Sequence, residues 1–97
     1  MPKSVFTNEY RIFRELLRDL RDRKDVKQAQ LSAALGMAQS FVSKYEMGER
    51  RLDFIEVARI CGELGIGIEA FAKSYVKALV ESSGDKRAKG KGGRKNA

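Results

Sequence analysis

Histidine is absent from this 97-residue chain. Its absence removes the usual general acid or base at neutral pH and the commonest metal ligand. Cys61 is the single cysteine. It can form neither a thiolate zinc cluster nor an internal disulfide, and this fits a reducing compartment. No apolar run approaches the roughly 18 to 20 residues that span a bilayer. The first ten residues, MPKSVFTNEY, hold no apolar stretch of signal-peptide length. The glycines stand at expected helix ends or in the tail, so no phosphate-cradling loop is formed. No nucleophile–base pair is evident. These absences predict a cytoplasmic protein that is not an enzyme and has no metal, cofactor, small-molecule ligand or membrane partner.

Hydrophobic residues make up 42% of the chain, enough for one small core. The net charge is +7, unevenly spread. Residues 1–83 hold 14 Lys+Arg against 12 Asp+Glu, a net of +2; residues 84–97 hold six against Asp85 alone, a net of +5. Residues 82–97, SSGDKRAKGKGGRKNA, lack any large apolar side chain and cannot order themselves by burial. A disordered basic tail is expected, adding salt-dependent but sequence-independent affinity for nucleic acid.

The most informative stretch is Gln28 to Met47, QAQLSAALGMAQSFVSKYEM. Leu31 and Leu35 are four apart and share one helical face; Val42 and Tyr45 are three apart and do the same. Gly36 follows Leu35, where a helix end often needs positive φ. Ser32 is small enough for a second helix to cross close by, and Met37 is expected to plug the angle between the two. The pattern predicts a helix over 28–35, a tight turn and a helix over 39–46, a helix-turn-helix. On the second helix Gln39, Ser40, Ser43 and Lys44 point away from Val42 and Tyr45. Gln39 can bond an adenine edge in two places, the serines can donate or accept, and Lys44 can reach guanine or a phosphate. Phe41 is expected to pack partly inward, with contact to thymine methyls as the alternative.

Gln28 opening the first helix, Leu31, Leu35-Gly36, Gln39-Ser40, Val42-Ser43-Lys44 and Glu46-x-Gly48 together resemble the DNA-binding domain of the Cro and lambda-type phage repressors. This large bacterial family is also called the xenobiotic-response-element (XRE) family. The resemblance runs from Leu20-Arg21 to about Leu64, two thirds of the chain. It implies a five-helix, all-α, lambda-repressor-like fold. It implies an ion pair between Arg21 and Glu46, and phosphate contacts from Gln28 and from Arg50 and Arg51 after the recognition helix. Lys27, beside Gln28, is expected to join them. Many relatives are basic where this chain has Met47.

Around this unit, residues 1–7 are expected as a loose arm and 8–81 as the domain. The first helix should run from a cap at Thr7 or Asn8 to about Arg23, with Ile12, Phe13, Leu16, Leu17 and Leu20 inward. Exposed pairs such as Glu15–Arg18 and Arg18–Asp22 are expected to contribute only about 0.3 to 0.5 kcal/mol each. Asp53 and Glu56 form a capping-box pattern for a fourth helix. Its run Phe54, Ile55, Val57, Ala58, Ile60, Cys61 and Leu64 suggests burial on more than one side. A fifth helix follows from about Ile68 to Val80. Tyr75, Val76, Leu79 and Val80 extend past what a compact core needs and suggest a dimer interface. The expected function is a sequence-specific regulator of transcription, repressor-like, acting on double-stranded DNA as a homodimer in a bacterial or phage nucleoid. The rival expectation is an antitoxin-like protein-interaction module with secondary DNA binding.

Overall fold

A computed structural model describes residues 3–83, with side chains from Asn8 to Ser82. The described residues form five helices: α1 (Lys3–Arg23), α2 (Gln28–Ala34), α3 (Phe41–Glu46), α4 (Phe54–Glu63) and α5 (Ile68–Ser83). Three of the helix ends are set by chemistry local to them. α4 starts at Asp53, whose carboxylate accepts from the Glu56 N–H at 2.8 Å while Glu56 accepts from the Asp53 N–H at 3.0 Å. This is the expected capping box. α2 ends in a Schellman turn: Gly36 takes φ +71°, and the Met37 N–H reaches back to the Ser32 carbonyl at 2.9 Å. α1 closes on the same geometry with Asp25 at φ 59°, and the Val26 N–H bonds the Arg21 carbonyl at 3.2 Å. Aspartate tolerates this left-handed conformation better than most residues.

The core lies where all five helices converge. Leu17, Leu31, Val42, Tyr45, Ile60 and Cys61 are essentially inaccessible, with Leu35, Phe41, Val57, Leu64 and Phe71 around them. Full burial of each large aliphatic side chain contributes about 1.5 to 3 kcal/mol. α1 packs against α3 and α5, α2 against α3 and α4, and α4 against α5. The short α3 is therefore held between the preceding α2 and the more distant α1. Cys61 is buried as expected, and desolvation pushes its thiol above the ordinary value.

Several expectations change. α1 begins at Lys3, so helix occupies most of the segment expected as an arm; Met1 and Pro2 lie outside the described residues. Asn8 is inside this helix, and its Oδ1 accepts from Arg11 Nη2 at 2.6 Å. Glu15 pairs with Arg11 at 3.1 Å rather than with Arg18, whose contact with Asp22 is long at 3.9 Å. Met37 is exposed instead of plugging the turn. Phe54 and Ile55 are 69% and 65% exposed, so α4 is buried on one side only. α5 reaches Ser83, and the residues after it, most of the expected tail, lie outside the described residues. α5 also turns part of its expected interface inward. The Tyr75 ring meets Phe13 edge-on at 6.2 Å, and its hydroxyl donates to the Glu9 carbonyl at 3.2 Å. Val76 is 57% exposed, and Leu79 and Val80 are half-buried.

Tyr45 offers a stability test. Its hydroxyl is fully buried and has no hydrogen-bond partner among the described residues. Burial pushes the phenol far above its usual value. An unsatisfied buried hydroxyl costs about 1 to 3 kcal/mol. Tyr45→Phe is expected to raise stability by about 1 kcal/mol, or about 4 to 8 °C in Tm for a domain of this size. Urea unfolding checks this, and a clear loss would mean the hydroxyl is hydrogen-bonded in solution.

Candidate nucleic-acid interface

α3 has two chemically distinct sides. Phe41, Val42, Tyr45 and Glu46 are buried, while Lys44 is exposed and Ser43 half-buried. The helix itself starts at Phe41, so Gln39 and Ser40 are exposed turn residues leading into it rather than its first helical turn. The start is fixed from another element: the Val42 N–H, an otherwise orphaned donor of the first turn, donates to the buried Ser32 Oγ at 3.1 Å. Ser32 thus caps α3 from α2. The Ser43 hydroxyl donates to the Ser40 carbonyl at 3.1 Å and keeps its acceptor capacity outward. Gln39, Ser40, Ser43 and Lys44 form one polar stripe that ends at exposed Met47. The Phe41 ring lies inside, edge-on to Tyr45 at 5.4 Å, so it is not placed for thymine methyls.

The end of α3 is anchored by Glu46. Arg21 Nε donates to Glu46 Oε2 at 2.7 Å and Nη2 to Oε1 at 3.0 Å, a fork-to-fork pair. Both residues are more than nine-tenths buried. Arg21 Nη1 also donates to the Val26 carbonyl at 2.8 Å, tying the α1–α2 connection into the same group. Hydrogen bonding to Glu46 raises the guanidinium above its already high value. The expected pair therefore exists, with a member that sequence reading placed elsewhere: Gln28 Nε2 donates to Glu46 Oε1 at 2.8 Å. This bond uses one of Gln28's two amide hydrogens and fixes the side chain at the start of α2.

The expected phosphate contacts divide. Lys27 is exposed at the N-cap position of α2, where its backbone N–H donates to Gln30 Oε1 at 2.8 Å. Arg51 is exposed, with its guanidinium 4.3 Å from the centre of the Tyr10 ring. Arg50 is held against the start of α4 instead, its side chain still 40% exposed. It grips Glu56 at 2.9 and 3.2 Å, donates to the Arg51 carbonyl at 3.0 Å and lies 4.8 Å over the Phe41 ring. The hydrogen bond from Arg50 holds the Glu56 carboxyl below its usual range. The bond's contribution is therefore present at neutral pH and lost as pH falls through that lowered value.

Two α1 residues overlooked in the sequence complete the frame. The Tyr10 hydroxyl accepts from the Leu52 N–H at 3.1 Å and donates to the Arg50 carbonyl at 3.5 Å, pinning the loop after α3. Arg14 Nη1 donates to the Glu46 carbonyl at 2.8 Å. A signal was present: Tyr10, Arg14, Leu17 and Arg21 follow four-three-four spacing and share one face of α1.

On the far side of Tyr10, an open groove of about 450 Å³ runs between α1, the start of α4 and α5. Phe13, Phe54, Val57, Phe71 and Tyr75 are among its walls. No described helix is long and apolar enough to cross a membrane.

A helix-turn-helix family model matches residues 17–71, more than half of the chain. Among solved structures, an XRE-family-like protein from Pseudomonas syringae pv. tomato is 36% identical, with a TM-score of 0.73 over 77% of this chain and 92% of that one. No curated protein matches. The matched span covers the Arg21–Glu46 pair, Gln28 and the stripe they support, with Tyr10 and Arg14 lying before it, and this chain belongs to the XRE-type helix-turn-helix family of DNA-binding regulators.

Proposed function

We propose that the chain is a sequence-specific, repressor-like regulator of transcription that lays α3 in the major groove of duplex DNA and acts as a homodimer on a palindromic operator. The observation that carries this reading is the division of α3. Every large apolar residue of the helix is buried, and the outward stripe of Gln39, Ser40, Ser43 and Lys44 rests on a buried, two-pronged ion pair. A rigid element presenting short polar groups suits base-edge readout. Lys27, Arg51 and the second amide hydrogen of Gln28 serve as phosphate contacts that fix register. Arg50 braces the loop against α4. Occupancy of the operator blocks or recruits polymerase, in the cytoplasm at the nucleoid.

The surface for a second copy centres on Val76, with Tyr75, Leu79 and Val80 half-buried beside it and the groove adjoining through Tyr75. In sedimentation at tens of micromolar, the full chain is expected to run as a dimer. Val76→Asp is expected to shift it to monomer and weaken operator binding without lowering the melting temperature of the monomer. A wild-type chain that stays monomeric would contradict the dimer. It would favour a second reading, supported by exposed Phe54 and Ile55 beside the groove: an antitoxin-like module that docks a different protein there.

A further inference from the structure

Among the described residues, four of the eight arginines are matched to carboxylates: Arg11 to Glu15, Arg18 to Asp22, Arg21 to Glu46 and Arg50 to Glu56. Arg23 and Arg59 are unmatched there but do not line the pocket that Arg14 and Arg51 share. Arg14 and Arg51 have no carboxylate within ion-pair reach among those residues. They come together across one open pocket of about 220 Å³, lined by Tyr10, Arg14, Met47, Gly48 and Arg51. None of the five is acidic.

Both guanidiniums are positioned. Arg14 is held by its bond to the Glu46 carbonyl and passes close over Gly48, where a Cβ would stand 3.1 Å from its Cζ. That bond also covers a carbonyl at the C-terminal end of α3, whose partial negative charge would otherwise repel an anion. Arg51 rests on the Tyr10 ring, and the Tyr10 hydroxyl fixes the adjoining Leu52 N–H. Two planar, weakly hydrated forks at the mouth of one small cavity suit the oxygens of a phosphate. The pocket borders Met47, at the end of the outward stripe and three residues beyond Lys44. A helix lying in the major groove meets the sugar–phosphate wall beyond its base-reading residues.

We propose that Arg14 of α1 and Arg51 of the following loop, set by Tyr10, together seat one backbone phosphodiester of duplex DNA beside the bases that α3 reads. The proposal rests on the DNA-binding reading and adds an α1 residue to it. The test is the salt dependence of binding by the full chain to an unrelated duplex. Arg14→Gln/Arg51→Gln is expected to lower the slope of log K against log salt by about 0.9, the share of one phosphate. Arg14→Lys is expected to keep the slope, because it retains the charge. Thermal melting guards against a folding artefact. If the Arg14→Gln chains melt early, Arg51→Gln alone, whose guanidinium stacks on Tyr10, must still lower the slope. An unchanged slope in a folded double variant overturns the seat and leaves the DNA reading intact. Inorganic phosphate titration separates the other source of the same chemistry. If phosphate protects the wild type but not the double variant against heat, while the DNA slopes agree, the pocket serves a free phosphate and the backbone assignment is wrong. A wild type whose duplex binding shows no salt dependence would overturn the DNA reading itself.

Discussion

Arg21→Ala is expected to destabilise the domain by about 3 to 5 kcal/mol, because it strands the Glu46 carboxylate in a site more than nine-tenths buried. For a domain of this size, total stability is on the order of 5 to 15 kcal/mol. One substitution therefore removes a large part of the whole. The Val26 carbonyl loses its donor too, so the α1–α2 connection loosens with α3. Urea unfolding reads the loss directly. Replacing both partners with apolar residues, Arg21→Met with Glu46→Leu, is expected to recover much of the stability, since no charge is then left unpaired. It should not recover DNA binding to the same extent, because Gln28 loses the acceptor that fixes it. A loss below about 1 kcal/mol for Arg21→Ala would place the pair among solvent-screened surface bridges and remove the proposed anchor of α3.

Gln39→Ala tests reading rather than folding. Gln39 is exposed in the turn before α3, so stability should be unchanged. Affinity for the specific site is expected to fall by about 1 to 3 kcal/mol, with preference relaxed at one base pair and binding to unrelated duplex unaltered. Competition binding against a set of single-base variants measures both effects. Equal weakening on specific and unrelated DNA would assign Gln39 to the backbone instead.

The helix-turn-helix was legible because its determinants are local. Leu31, Leu35, Val42 and Tyr45 repeat at helical spacing, Gly36 marks the turn, and Asp53 with Glu56 marks the next helix start. The misread features depend on residues far apart in the chain. Gln39 and Ser40 read as helical from sequence, but the start of α3 is set by Ser32, ten residues before Val42. Arg50 was expected to face the phosphate backbone, and its pairing with Glu56 was not foreseen, since Glu56 faces it only once α4 begins. The spacing of Tyr10, Arg14, Leu17 and Arg21 puts Arg14 on the same face of α1 as Arg21, but does not signal its partner, the Glu46 carbonyl 32 positions away. Capping types misled in the other direction: Asn8 sits within α1 and bonds Arg11. Phe54 and Ile55 show that apolar identity does not fix burial, since α4 turns its Val57, Ile60 and Cys61 side to the core. The Arg21–Glu46 pair was reachable through family resemblance, whereas its third member, Gln28, was read as a phosphate contact only.

The most direct test of sequence-specific, dimeric reading is selection of bound fragments from random duplex DNA at near-physiological salt. The expected result is one palindromic motif whose half-sites lie about one helical turn, roughly 34 Å, apart. Retention of DNA with no common motif would contradict base readout by Gln39, Ser40, Ser43 and Lys44 and leave a basic domain that only coats the backbone.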